Sequence, residues 1–250
     1  MITMVRVGVF CAALSLFPMP AAGADTGAVA EVFDCNFKDG KGWTDWERVS
    51  ASFFDTVRSI GGDTADFTTY IWRPFRGNAE VDYIWASYSP HLRGMANGWS
   101  GYYGSGRGEA VDRQWEEIES CRSRIVGVEQ IYDSSNYPPA GAGREGFAEI
   151  YRCRLRPGKT LADLRAGISV WHDHVERLDA RFDVYLHLPL ISEQDDDHSY
   201  LVAHGSTAAF GANASRYLTH PDTASITTLL NELQQCRTSL WRTELIYRPE

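Results

Sequence analysis

The chain has 250 residues, 44% apolar and 23% charged, with 33 Asp and Glu against 24 Lys and Arg. This balance describes a folded protein and excludes a disordered tail, a collagen-like chain and a membrane bundle. A formal net charge of -9 speaks against nucleic acid as a partner, because neutralising phosphates takes clustered Lys and Arg.

Residues 1–24 read as a secretory signal peptide. A basic start ending at Arg6 precedes an apolar run broken only by Gly8 and Ser15, and Ala22, Gly23 and Ala24 form a small-x-small cleavage pattern. The mature chain is expected to begin near Asp25 and to be periplasmic or secreted. The run is shorter than the about 20 residues that cross a bilayer, and no later segment offers a transmembrane span. Phe10 before Cys11 disfavours a lipid anchor. Cys35, Cys121, Cys153 and Cys236 remain. An even count in an oxidising compartment predicts two disulfides, and spacing alone leaves three pairings.

Residues 32–37 alternate as a strand does. A helix follows, with Trp46, Val49, Phe53 and Val57 in one stripe and Thr44 with Glu47 as a capping box. Strands are expected at 67–73 and 81–88. Residues 94–108, holding Trp99, Tyr102 and Tyr103 among glycines, read as a loop able to act as a lid. Val111, Trp115, Ile118 and Cys121 share the stripe of a second helix, and a last strand includes Ile131 and Tyr132. Residues 134–146, with Pro138 and Pro139, form a linker between a first repeat at 25–133 and a second at 147–250.

The second repeat restates the first. EVFDCNF at 31–37 lies over EIYRCRL at 149–155, and Gly40, Asp45, Asp55 and Val57 recur as Gly158, Asp163, Asp173 and Val175. Tyr70 and Pro74 match Tyr185 and Pro189, Tyr83 and Ala86 match Tyr200 and Ala203, and Cys121 matches Cys236. Leu161, Leu164, Ile168, Trp171, Val175 and Leu178 mark its first helix, and Ile226, Leu230, Leu233 and Cys236 its second. Its middle strands fall at 182–188 and 198–205. Two copies make a pseudo-symmetric pair rather than a solenoid.

The order β-α-β-β-α-β, twice, is the ferredoxin-like unit of an α+β fold, with both helices on one face of a four-stranded antiparallel sheet. Phe33, Cys35, Phe37, Phe67, Thr69 and Ile71 should face the helices, as should Tyr151, Cys153, Leu155, Phe182, Val184 and Leu186. Both cysteines of a repeat then share one layer, which predicts Cys35–Cys121 and Cys153–Cys236. The opposite face collects Asp34, Asn36, Tyr70, Trp72, Tyr83, Trp85 and Glu129 in the first repeat. In the second it collects Arg152, Arg154, Tyr185, His187, Tyr200, His204, Arg242 and Glu244. This face is too aromatic for water and too polar for a plain core, so a pocket or interface between the two sheets is expected. Its acidic and basic halves suit mutual packing.

The tandem pattern, with Tyr70 and Tyr185 and Cys121 and Cys236 in equivalent places, resembles the dimeric α+β barrel superfamily over nearly all of the mature chain. The resemblance rests on topology and carries no diagnostic motif. It implies two units packed sheet to sheet, ligands held between sheet and helices, and activities that include monooxygenases and haem-degrading or haem-peroxidase enzymes. The disulfides and the export signal depart from it. Because the second repeat takes the place of a partner subunit, a monomer is expected.

No Gly-x-Ser-x-Gly elbow occurs, and the mature cysteines are committed to disulfides, so nucleophilic hydrolysis lacks support. His187 and His204 are the acid–base candidates, with Glu244 as the partner of His204. Ligand contacts are expected from Tyr70, Trp72, Tyr83, Trp85, Glu129, Arg152, Tyr185, Tyr200 and Arg242. His172 and His174, two apart on a helix, read as surface residues, and no metal site is expected. The acidic run at 193–198 lacks the EF-hand glycine and reads as a solvated loop. These features favour an exported binding or interaction protein for a small apolar or aromatic ligand. The alternative is a barrel enzyme of monooxygenase or haem-dependent type. The residues themselves name no cofactor and no reaction.

Overall fold

The computed structural model describes residues 27–61, 67–77, 80–134, 145–192 and 194–248. The expected signal peptide, and residues 135–144 of the expected linker, lie outside them. The first half runs β1 (Ala28–Phe37), α1 (Trp43–Ile60), β2 (Thr68–Gly77), β3 (Tyr83–Ser89), α2 (Leu92–Gly104), α3 (Gly108–Ile118) and β4 (Glu119–Tyr132). The second runs β5 (Glu145–Leu155), α4 (Leu161–Glu176), β6 (Asp183–Ser192), β7 (His198–His204), α5 (Thr207–Thr219), α6 (Thr223–Leu233) and β8 (Gln234–Tyr247).

The strands form one closed antiparallel barrel in the order β1-β3-β2-β8-β5-β7-β6-β4. Each half supplies four adjacent strands, and the seams β2–β8 and β4–β6 are hydrogen-bonded ladders. Closure leaves no free sheet edge. Helices pack on the outside of the barrel. The α+β fold read from the sequence stands, with one addition: each half carries an extra helix, α2 or α5, ahead of its last helix.

The first of these overturns the loop expected at 94–108. Glycine density suggested a flexible connector, but Met95, Trp99 and Tyr102 recur at helical spacing, and the His91 side chain caps the helix by accepting from Gly94 N. Two glycines serve close approach rather than mobility. A Cβ on Gly94 would lie 2.8 Å from the His91 ring, and one on Gly108 would lie 2.7 Å from the Tyr102 carbonyl oxygen. The capping box expected at Thr44 and Glu47 does not form, since α1 starts at Trp43 behind Gly42 with no side-chain cap. The second repeat does have one, in which Thr160 and Asp163 cap α4 reciprocally.

Both predicted disulfides are present, Cys35–Cys121 and Cys153–Cys236. They join neighbouring strands rather than strand to helix, because Cys121 and Cys236 sit early in β4 and β8, directly opposite Cys35 and Cys153. A three-residue step from Ile118 or Leu233 looked like another helical position. The chain has by then turned into a strand, where the two-residue alternation places Glu119 and Cys121 on one face.

The inside of the barrel is a packed core. Val32, Trp72, Ile84, Ala86, Val126, Ile150, Leu201 and Trp241 fill it, with Tyr70, Tyr88 and Tyr185 alongside. Asp34 lies buried among them and accepts from Arg124 Nη1 at 2.8 Å, Arg152 Nη2 at 2.7 Å and Gln194 Nε2 at 2.6 Å. Burial alone would raise the Asp34 carboxyl, but the two guanidiniums outweigh it and hold the group below its ordinary range. The Asp34–Arg152 pair ties one repeat to the other, as the opposed charges of the two faces led one to expect.

Candidate functional site

Between the two four-stranded halves, buried side chains fill the barrel. Beside Arg124, Arg152 and His187 the free space is about 10 Å³, enough for about one water. The expected inner-face set is divided by the strand register. Asp34, Tyr70, Trp72, Arg152, Tyr185 and His187 do point inward. His187 is buried with Nε2 unbonded, and burial, aided by Arg124, pushes its pKa down to about 3, so it stays neutral and serves as packing.

The other candidates face outward. Tyr83 and Trp85 stand opposite Cys35 and Phe33 and pack under the helices of the first repeat. Tyr200 and His204 stand opposite Tyr151 and Phe147 on the helix side of the second. Glu129 pairs with Arg165 of α4 at 2.6 Å, and Glu244 lies 3.7 Å from Arg73. Arg242 lies over the Phe75 ring. The nominated His204–Glu244 pair is therefore not assembled, and His204 Nε2 instead meets Glu149 at 3.1 Å while Nδ1 meets Asn213 at 3.2 Å. The faces of β3 and β7 are fixed by the partner strands, where Tyr83 stands opposite Cys35 and His198 opposite Cys153, and β3 matches β7 through Asp82 and Asp197, each accepting from the backbone N–H that ends the neighbouring strand, Phe37 or Leu155. That register makes Trp85, not Tyr83, the counterpart of Tyr200. His174, read as a surface residue, is fully buried and bonded to Thr223 at 3.1 Å, because α4 turns it toward α6.

A cavity of about 410 Å³ lies outside the barrel, between the sheet of the first repeat and α1, α2 and α3. Alternation on β1 puts Glu31, Phe33 and Cys35 on its floor, and β3 adds Trp85, Ser87 and Ser89. Positions a turn apart on α1 supply Phe53, Val57 and Ile60, α2 supplies Met95, Trp99, Tyr102 and Tyr103, and α3 supplies Asp112, Trp115 and Glu116. Glu119 of β4 completes the wall. Trp99 Nε1 donates to Glu31 at 3.0 Å, the Tyr102 hydroxyl donates to Asp112 at 2.9 Å, and the Tyr83 hydroxyl donates to Glu119. Burial, opposed by the Trp99 hydrogen bond and assisted by Asp112, raises Glu31 to about 6. Burial pushes Glu119 up to about 8. Two carboxyls that change charge near neutrality in one apolar cleft can exchange protons with a bound molecule.

Among these residues only Trp85 and Tyr83 were expected as ligand contacts, while Trp99, Tyr102 and Tyr103 were expected in a lid loop and the other aromatic residues in the core. A signal for Glu31 was there: it shares the two-residue phase of Phe33 and Cys35, which makes it the polar member of a set assigned to the helix side.

The chain resembles solved structures over most of its length. A candidate monooxygenase from Fusobacterium nucleatum subsp. nucleatum is 9% identical, with 89% of this chain and 96% of that one covered and a TM-score of 0.60. An anthrone oxidase-like protein is 9% identical, covering 89% and 92%, with a TM-score of 0.57. A candidate chlorite dismutase is 15% identical, covering 88% and 95%, with a TM-score of 0.52. The chain has the dimeric α+β barrel fold. No family model matches the sequence, and no curated protein matches it significantly.

Haem is the cofactor that one branch of these barrels implies, and the residues of this pocket do not suit it. The wall carries four carboxyl groups and no Lys, Arg or His, so the haem propionates would find no countercharge and no imidazole is at hand for the iron. On the helix side of the second repeat, Nε2 of His174, His198 and His204 is engaged by Thr223, Gln234 and Glu149 respectively, and Nδ1 of His204 by Asn213.

Proposed function

We propose that this barrel protein binds a small, largely apolar or aromatic molecule, and that it does so under the helices of the first repeat rather than between the sheets. The observation that supports the reading is the cavity of about 410 Å³ with aromatic walls and a few convergent polar groups, the usual make-up of a ligand site. Trp85, Trp99 and Trp115 line it, so occupancy should change tryptophan emission. The test is native mass spectrometry of the purified protein beside a Gly98→Phe variant, whose side chain would enter open space on the cavity side of α2. A co-purified molecule held by the parent protein and lost from the variant supports this site. Retention by both moves the ligand elsewhere.

A second reading is an enzyme that needs no haem, and the raised carboxyls Glu31 and Glu119 favour it as general acid–base groups. An anthrone oxidase-like protein and a candidate monooxygenase share the fold, which makes oxygen uptake with anthrone a sensible first assay. Turnover that survives both Glu31→Gln and Glu119→Gln would remove these residues from the chemistry.

We also read the protein as exported, from the leader-like segment at 1–24 and two disulfides that suit an oxidising compartment. N-terminal sequencing of the mature protein should begin near Asp25. No helix among the described residues is long and apolar enough to cross a membrane.

A further inference from the structure

The two repeats are a built-in comparison, and they differ where the cavity lies. Counted from the paired Asp82 and Asp197, Ser89 at the end of β3 corresponds to His204 at the end of β7. Both α2 and α5 begin at the same distance beyond that point, so Gly98 corresponds to Asn213. Glu31 and Glu149 are the matching acids of β1 and β5. In the second repeat the acid is answered from within: Asn213 Nδ2 donates to His204 Nδ1 at 3.2 Å, which leaves Nε2 to donate to Glu149 at 3.1 Å. In the first repeat both side chains are cut back to Ser and Gly, both of which line the cavity. Glu31 keeps one donor, Trp99 Nε1.

We propose that the cavity is a site for an organic cation, an ammonium on an aryl or alkyl body, whose N–H group sits against Glu31 where the His204 ring sits against Glu149. The inference rests on the pocket reading above and adds the charge of the ligand. Asp112 and Glu116 from α3 bring further carboxylates to the wall, Glu119 from β4 a carboxyl that burial keeps protonated up to about pH 8, the phenols of Tyr102 and Tyr103 face it from α2, and α1 and β3 contribute no charged group. Nearby basic groups are held outside it, with Lys38 bonded to the Glu116 backbone carbonyl and Arg107 to the Ser59 hydroxyl at 3.3 Å. Indole and phenol rings around a carboxylate are the surroundings in which ammonium groups are recognised, through ring faces as well as charge. The raised Glu31 has the same origin: burial without a countercharge, a cost that a bound cation removes.

The test compares three probes of one skeleton, 4-phenylbutylammonium, 4-phenylbutan-1-ol and 4-phenylbutyrate, by calorimetry and tryptophan fluorescence on the full-length mature protein. The ammonium should bind at least about tenfold tighter than the alcohol, and the carboxylate weaker than both. Glu31→Gln should erase the ammonium's advantage while leaving alcohol binding in place. The ammonium's affinity should rise between about pH 5 and about pH 7.5 as Glu31 ionises, with the alcohol's unchanged. Ser89→His with Gly98→Asn, which transplants the second repeat's pair, should abolish binding of all three, with near-UV circular dichroism checking the fold. Equal binding of the three probes, or a preference for the carboxylate, overturns the cation inference and leaves the pocket reading standing. Failure of every probe to bind the parent protein overturns both.

Discussion

Two carboxyls shifted in opposite directions set the pH response. Asp34 is held low by Arg124 and Arg152, so its contribution to stability is present above the ordinary aspartate range and is lost as pH falls through its lowered folded value. Glu119 is the reverse. Its folded value of about 8 exceeds the ordinary 4.5, so the native state holds a proton that the unfolded chain releases, and stability falls as pH rises between those values. Glu119→Gln should therefore stabilise the protein by about 2–3 kcal/mol near pH 9 and give no gain near pH 4, read by urea unfolding at each pH. Asp34→Ala should cost about 3–5 kcal/mol, because two guanidiniums are left in the barrel without their shared partner. A loss under about 1 kcal/mol would mean that water or neighbouring groups already carry those charges.

At the scale of elements, the disulfides and the helix contacts make separate claims. Cys35 and Cys121 close a loop with a sequence separation of 86, so replacing both with Ala should cost about 2–5 kcal/mol in equilibrium unfolding. Gly108, at the start of α3, packs against Tyr102 of α2, and its counterpart in the second repeat is Thr223, which bonds to the Tyr217 carbonyl. The first repeat has no room for such a residue. Gly108→Ala should lose about 1–3 kcal/mol and disturb the Tyr102 side of the cavity, visible as weakened probe binding. The element reading from sequence succeeded where one period ran long, as on α1 and α4. It failed at 94–108, where glycines needed for close approach imitated those of a loop.

For the whole molecule, closure decides the behaviour. The edge strands β2 and β4 of the first repeat are paired with β8 and β6 of the second, so either half alone would be left with two open sheet edges. Calorimetry should show one unfolding transition, not two. Because the chain completes its own barrel, light scattering should give a monomer mass that does not change with concentration.

The sequence by itself determined the duplication, the α+β order, both disulfide pairings and the charge complementarity that became Asp34–Arg152. These follow from local periodicity and from a repeat that makes one half a check on the other. It could not determine the faces of β3 and β7, since alternation shows which residues share a face but not which face that is, and an assignment of phase needs the partner strand. Nor could its residues locate the cavity, although the resemblance to the α+β barrels implied ligands between sheet and helices. That space is made by what is missing, the side chains that Ser89 and Gly98 lack beside their counterparts His204 and Asn213. Only packed helices over a sheet turn two small residues into a volume with Glu31 at its floor.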